Sequence, residues 1–317
     1  MPLHVVTGAG AIGTATARLL AEAGENVRVI TRGGSGPEHP LVERIAADVT
    51  DTERLTALLR DADTLYNAAA PAYQHWRTDF PPLAASLLDA AARSGTDYVM
   101  LGNLYGYGPA DGPLTPGQPM RPNSDKGRVR AAIWEEALAA HRAGRVRAAE
   151  VRASDFLGAH VLGLFPLMAV PAVLAGEEAV LPVALDAPHA WSYADDVART
   201  LIAVGAREDG WGRAWHVPST SELSPRDLLA ALAETAGAPT PRLRTMTPRE
   251  LSEAVEADAL MAEIPEMAYQ YARPLLVDAS DTERLLGVRA TGLDRVFTEL
   301  VPTGRPGRPG RPARSAS

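Results

Sequence analysis

The sequence predicts an α/β fold: a doubly wound parallel sheet with a smaller C-terminal lobe. Three observations carry this. Short apolar strand patterns alternate with helix-length stretches over the first half of the chain. The first strand runs straight into a turn with glycines spaced G-x-G-x-x-G, Gly8-Ala9-Gly10-Ala11-Ile12-Gly13. The second strand is apolar on both faces, as a strand buried inside a parallel sheet must be.

Residues 3–7 read as the first strand and 11–23 as the first helix. Gly8 permits the tight turn, Gly10 lets a pyrophosphate approach the backbone, and Gly13 lets the helix pack on the strand. The unpaired N–H groups of that helix, from Ala11 and Ile12 onward, face the phosphates. Val27 to Thr31 is the second strand, Ile45 to Val49 the third and Thr64 to Asn67 the fourth. A helix from Asp51 to Leu59 takes Thr50 or Asp51 as its cap. A helix over 79–94 holds Pro81 and Pro82 in its first turn. Tyr98 to Leu101 is the fifth strand, a Gly/Pro-rich loop spans 102–123, a helix runs from Lys126 to Arg142, and Ala148 to Arg152 is the sixth strand. Further helices are expected at 195–206, 225–236, 248–261 and 280–286. The division is 1–155 for a dinucleotide-binding domain, 156–301 for a mixed substrate lobe with late sheet strands, and 302–317 for a disordered tail.

Ligands on such sheets bind outside the carboxyl ends of the strands. The loops after residues 7, 31, 49, 67, 101 and 152 are therefore the candidate site. After the second strand, a site for NAD usually carries an acid on the ribose 2′-hydroxyl. Here Thr31 is followed by Arg32, which can pair with a 2′-phosphate, so NADP is expected over NAD. Asp48 and Val49 are placed to meet the adenine, or Asp48 caps the next helix.

Composition narrows the class. The chain has 317 residues, no cysteine and a net charge of −8. Disulfides, thiolate metal sites and a cysteine nucleophile are excluded, and a cytoplasmic location fits. Residues 302–317 hold four arginines and no acid, so the remainder carries about −12 (−8 minus 4), which argues against nucleic acid as a partner. No apolar run reaches the length of a membrane span, and the immediate first strand leaves no room for a signal peptide. The histidines show no metal-ligand spacing, so no metal is expected. Of 31 basic side chains only Lys126 is a lysine. Arginine cannot replace lysine where a compact ammonium is needed, which singles Lys126 out.

The glycine turn, Asp48-Val49, Asn67-Ala68-Ala69-Ala70, Tyr105-Gly106-Tyr107-Gly108-Pro109, Arg152-Ala153-Ser154-Asp155-Phe156 and Ser192-Tyr193-Ala194-Asp195-Asp196-Val197-Ala198 occur in a familiar order. The chain resembles the extended and atypical branch of the short-chain dehydrogenase/reductase superfamily, the group holding NAD-dependent epimerases and dehydratases. The resemblance implies a Rossmann domain, a nicotinamide near the ends of the fourth, fifth and sixth strands (Ala68, Ala69, Ala153, Ser154), and a homodimer through the helices near 79–94 and 126–142. It also implies a serine after the fifth strand and a Y-x-x-x-K pair opening the next helix. Lys126 falls at the lysine, but Pro122 stands four residues before it, and Leu101, Gly102 and Asn103 stand where the serine belongs.

Three readings follow. Lys126 supplies the proton itself and anchors the cofactor, in a reductase acting on a carbonyl or activated double bond of a small molecule. Alternatively Tyr105 or Tyr107 reaches in from the loop. In the third, the protein binds NADP(H) as a sensor without turnover. Redox-neutral epimerase- or dehydratase-like chemistry is a further alternative. Tyr73, Trp76, Asn103, Tyr107, His189, Trp191 and Tyr193 are candidate substrate contacts. For the aromatic ones packing is the competing role; Arg128 and Arg130 read as a solvated face.

Overall fold

A computed structural model describes residues 2–301. The expected tail at 302–317 lies outside the described residues. Seven strands form one parallel sheet: β1 (Leu3–Thr7), β2 (Asn26–Thr31), β3 (Val42–Ala46), β4 (Thr64–Asn67), β5 (Asp97–Asn103), β6 (Ala148–Ala153) and, much later in the chain, β10 (Ala214–His216). Their order is β10-β6-β5-β4-β1-β2-β3, every neighbouring pair parallel. The order reverses beside β1, so the crevice for a ligand opens between the ends of β1 and β4.

Helices α1 (Ala11–Glu22) and α7 (Ala194–Gly205) cover one face; α2 (Thr52–Leu58), α3 (Trp76–Ser94) and α4 (Asp125–Arg142) cover the other. Between them run the short strands β7 (Asp155–Leu157), β8 (Glu178–Leu181) and β9 (Trp191–Tyr193), and helices α5 (Leu164–Met168) and α6 (Val170–Ala175). After β10 come α8 (Pro225–Thr235), β11 (Arg242–Thr245), α9 (Pro248–Ala257) and α10 (Leu293–Leu300). The pairs β7–β9 and β8–β11 and the helices around Phe165, Trp191, Leu229 and Phe297 build the lobe's own apolar core.

The third strand is 42–46, not 45–49. It is the edge strand, with Glu43 and Arg44 exposed, so it lacks the apolar run that marks the inner strands. Val49 lies beyond it, buried under α2 and α3, and its carbonyl accepts from Ser86 Oγ at 2.7 Å. Asp51 caps α2, accepting from Arg54 N at 3.0 Å. Helix α3 begins at Trp76, which leaves Pro81 and Pro82 inside it rather than in its first turn. Helix α9 stops at Ala257, and 3-10 turns at Met261–Glu263 and Pro265–Tyr271 follow; 282–286 is a single π turn.

Candidate active site

The turn after β1 has the shape its glycines predict. Gly8 takes φ +86°, and a Cβ there meets the Ala68 and Ala69 backbone at 2.9 Å. A Cβ on Gly13 strikes the Gly8 carbonyl oxygen at 2.0 Å, so α1 packs on the turn only because position 13 is glycine. A Cβ on Gly10 meets nothing within 4 Å. Gly10 is the N-cap of α1 with no side-chain cap, and the first turn holds no acid. The result is open space over free N–H groups at the positive end of a helix, which fits a dinucleotide pyrophosphate. Ile12 points inward and is buried, so it offers backbone only.

The neighbouring loops fit the same ligand. Thr31 Oγ1 accepts from Ser35 N at 2.7 Å and shapes the loop that presents Arg32. Arg32 is exposed, and among the described residues it has no ion-pair partner; its field adds to the Thr50 hydrogen bonds that hold the Asp48 carboxyl below its usual range. Those bonds, from Thr50 N at 2.9 Å and Oγ1 at 2.8 Å, occupy Asp48 Oδ1. Asn67 Oδ1 accepts from Thr7 Oγ1 and from Ala69 N, both at 3.0 Å, and fixes the start of the loop after β4. After β6, Ala153 is buried, Ser154 N donates to Ser192 Oγ at 3.0 Å, and the buried Ser154 Oγ has no partner. An orphaned hydroxyl at this strand end suits a cofactor contact.

At the same end of the sheet, Lys126 stands on the first turn of α4, which Ser124 caps by accepting from Gly127 N at 3.0 Å. Lys126 is only 4% exposed. Its ammonium donates to Glu266 Oε1 at 2.6 Å and to Glu263, and lies 4.5 Å above the Tyr73 ring. Glu266 Oε2 also accepts from Asp125 N at 2.9 Å, which ties the lobe to the helix start. Tyr73 donates to Tyr105 Oη at 3.4 Å, a long contact that leaves the Tyr105 proton free. Burial first, then the Tyr105 hydroxyl and the Asp155 charge, drive the Tyr73 phenol far up; burial and Asp155 do the same to Tyr105. Both stay protonated.

Asp155 faces this group. Its Oδ2 accepts from Tyr271 Oη at 2.5 Å and His189 Nε2 at 2.8 Å, and His189 stacks on Tyr271 with centroids 4.8 Å apart. Burial raises the Asp155 carboxyl, but the His189 and Tyr271 donors outweigh it and hold it below the usual value. Tyr73, Tyr105 and Lys126 therefore lie together, His189 reaches them through Asp155, and Glu263, Glu266 and Tyr271 join from the lobe. Asn103, at the end of β5, accepts from Tyr105 N at 3.2 Å and sets that loop.

Other expected contacts are packed behind these residues or away from them. Trp76 is packed between Tyr73 and Phe80, donates to Pro71 O at 3.2 Å and lies under Arg130. Trp191 is fully buried in the lobe core and donates to Leu223 O at 2.9 Å; Tyr193 donates to Glu299 at 2.6 Å. Tyr107 is sealed in a second buried network: Arg152 donates to Tyr107 Oη at 2.5 Å and to Glu150 at 2.6 Å, and Tyr107 donates to His216 Nε2 at 2.7 Å. The aromatic rings bury large apolar faces, which placed them in the core. Arg128 is a solvated charge paired with Asp125. Arg130 is not solvated. It is buried, stacks 4.5 Å from Phe80, donates to Leu101 O at 3.0 Å, keeps an unpaired Nε, and is pushed down to about 10 by burial. Among the described residues no three His, Asp or Glu side chains converge as a metal site, and no helix is long and apolar enough to cross a membrane.

The model of the NAD dependent epimerase/dehydratase family matches residues 4–217, and the chain belongs to that family. Comparison with curated proteins finds no match. Among solved structures the chain is similar to UDP-N-acetylglucosamine 4-epimerase from Bacillus cereus (TM-score 0.74, 16% identity, 95% of each chain covered). It is also similar to DesIV, a dTDP-glucose 4,6-dehydratase from Streptomyces venezuelae with NAD bound (0.72, 24%, 93% of this chain and 96% of that). A third is the Bordetella bronchiseptica enzyme WbmH with NAD+ (0.72, 21%, 94% and 97%). At these identities the likeness shows the fold: a Rossmann-type α/β sheet with its lobe.

Proposed function

We propose that the protein is a nicotinamide-dinucleotide-dependent oxidoreductase acting on a hydroxyl or carbonyl carbon of a small molecule, with Lys126 as the proton carrier. The observation that supports this most is the buried Lys126 ammonium over the Tyr73 ring, whose hydroxyl meets that of Tyr105, at the strand ends that carry the glycine cradle. The bound dinucleotide supplies or takes up the hydride. The chain's own residues do the rest. Tyr105 donates its free proton as a hydrogen bond to the substrate oxygen and Asn103 holds its loop. Lys126 gives or takes the proton at that oxygen, and Glu263 and Glu266 hold its charged form between transfers.

The helix register supports a different alignment of the family's pair. Pro122 lies before the Ser124 cap and outside α4, so it shares no helical face with Lys126. The partner one turn on is Arg130. The opening pair of α4 is then Lys126–Arg130, with lysine at the tyrosine's place and arginine at the lysine's.

Arg32 in place of an acid supports NADP, whereas two of the structures compared above carry NAD. Family membership favours one second reading, in which the hydride returns to the same substrate and no cofactor is consumed net. The test is a screen of alcohols and carbonyls with NADPH and NADP+, read at the nicotinamide absorbance, on the wild type and Lys126→Met. Turnover by the wild type alone supports the proposal. Equal turnover by both excludes Lys126 as the proton carrier. Tight cofactor binding with no net absorbance change across the panel moves the assignment to the redox-neutral reading.

A further inference from the structure

The ammonium of Lys126 already occupies a pocket suited to an ammonium group. Two carboxylates, Glu263 and Glu266, accept its N–H donors, and the face of Tyr73 lies 4.5 Å away. Carboxylates beneath a cation and an aromatic face beside it are the two features that recognise amines. We propose that this pocket is the subsite for a basic amine on the substrate, and that Lys126 fills it while no substrate is bound. The proposal rests on the oxidoreductase reading above and names its substrate class: an amine-bearing alcohol or carbonyl compound rather than a sugar nucleotide.

The charge around the pocket supports this class. Asp155 adds a third carboxylate to the site, against the Lys126 ammonium and the buried Arg130 guanidinium. Arg77 and Arg128 pair with Asp125 and Arg273 with Asp111, whereas the buried Arg130, one turn on from Lys126, meets no carboxylate among the described residues and keeps its Nε without a partner. A diphosphate entering beside Lys126 meets the carboxylates of Glu263, Glu266 and Asp155, and like charges at close range repel strongly in a part-buried site. A neutral polyol hydrogen-bonds to Tyr105 and to the glutamates but brings no charge to replace that of Lys126. An ammonium brings that charge.

Exchange balances charge: one ammonium leaves the two glutamates and another takes its place. Lys126 is then released toward the reacting oxygen beside Tyr105. Substrate binding thereby sets free the group that carries the proton, so a compound lacking the amine leaves Lys126 held by the glutamates.

The test has two arms. In the first, Lys126→Ala is titrated with n-propylammonium and its melting temperature followed. Saturable stabilisation that disappears in Lys126→Ala/Glu263→Gln/Glu266→Gln supports the subsite; no stabilisation, or the same stabilisation in the triple variant, overturns it. The second arm keeps the site intact should those variants fold poorly. Calorimetry on the NADPH-loaded wild type compares D-glucosamine, D-glucose and UDP-glucose. Glucosamine binding at least about tenfold tighter than glucose, with UDP-glucose weakest, is expected for one charge-assisted contact. Equal or absent glucosamine binding, or UDP-glucose binding tightest, overturns the proposal. NADPH titration of the same samples separates the failures. Loss of cofactor binding defeats the oxidoreductase reading, and retained binding without amine preference defeats the subsite alone.

Discussion

The Lys126 ammonium lies 2.6 Å from the carboxylate of Glu266, a residue 140 positions further along the chain. The contact joins the first turn of α4 to the irregular segment that closes the lobe over the sheet. It makes the sole lysine of the sequence the meeting point of the two parts of the molecule.

Lys126→Met should therefore do two things. Turnover should fall by about 10²- to 10⁴-fold, the usual share of a positioned proton carrier, while NADPH affinity stays within a few fold. Glu263 and Glu266 would also be left facing each other without a cation. Stability at neutral pH should drop by about 1–2 kcal/mol, less than for a fully buried pair because both carboxylates keep some solvent. Urea denaturation at pH 7 checks this.

Arg32→Ala should weaken NADPH by about ten- to a hundredfold and leave NADH nearly unchanged, because only the 2′-phosphate meets the guanidinium. Equal loss for both cofactors would remove Arg32 from the phosphate site.

His216 gives a pH signature. Burial, helped by the Arg152 charge, lowers its pKa to about 4. Nδ1 lies 3.0 Å from the Asp278 carbonyl, so Nδ1–H donates there and Nε2 accepts from Tyr107. The folded state thus resists a proton that the unfolded chain binds near 6.5. Stability is complete above that value and declines as the pH falls from about 6.5 toward 4, by up to about 3 kcal/mol. His216→Gln should be less stable at pH 7 but lose less on acidification, as read by denaturant midpoints across that range.

Gly13→Ala places a methyl 2.0 Å from the Gly8 carbonyl oxygen, which neither backbone segment can vacate cheaply. A loss of about 2 kcal/mol or more and of NADPH binding is expected; thermal melts and titration report the two effects separately.

The cradle was legible in the sequence because its constraints are local. Gly8 and Gly13 are fixed by contacts within the strand-turn-helix unit and its neighbouring loop. Lys126 was legible for a compositional reason, its uniqueness among the basic residues. Glu263, Glu266 and Tyr271 were not legible. They reach the site from 3-10 turns that have no periodicity, across more than a hundred residues of chain. The placement of Asp155 in a quoted motif was a signal, but nothing local says that Tyr271 and His189 converge on it. Sequence patterning reads Arg130 as a surface charge because it scores the head group alone. The structure instead stacks its guanidinium on Trp76 and Phe80. The third strand was misplaced because an edge strand carries charges on its open side.

The most direct measurement is an intrinsic-fluorescence titration of the wild type and Gly10→Glu with NADPH. The space above Gly10 accommodates a side chain without disturbing the fold, but a carboxylate there occupies the phosphate position and repels it. Saturable NADPH binding by the wild type, abolished in Gly10→Glu at an unchanged melting temperature, is the predicted result. No binding by the wild type, or equal binding by both, would contradict the dinucleotide site on which the proposed chemistry depends.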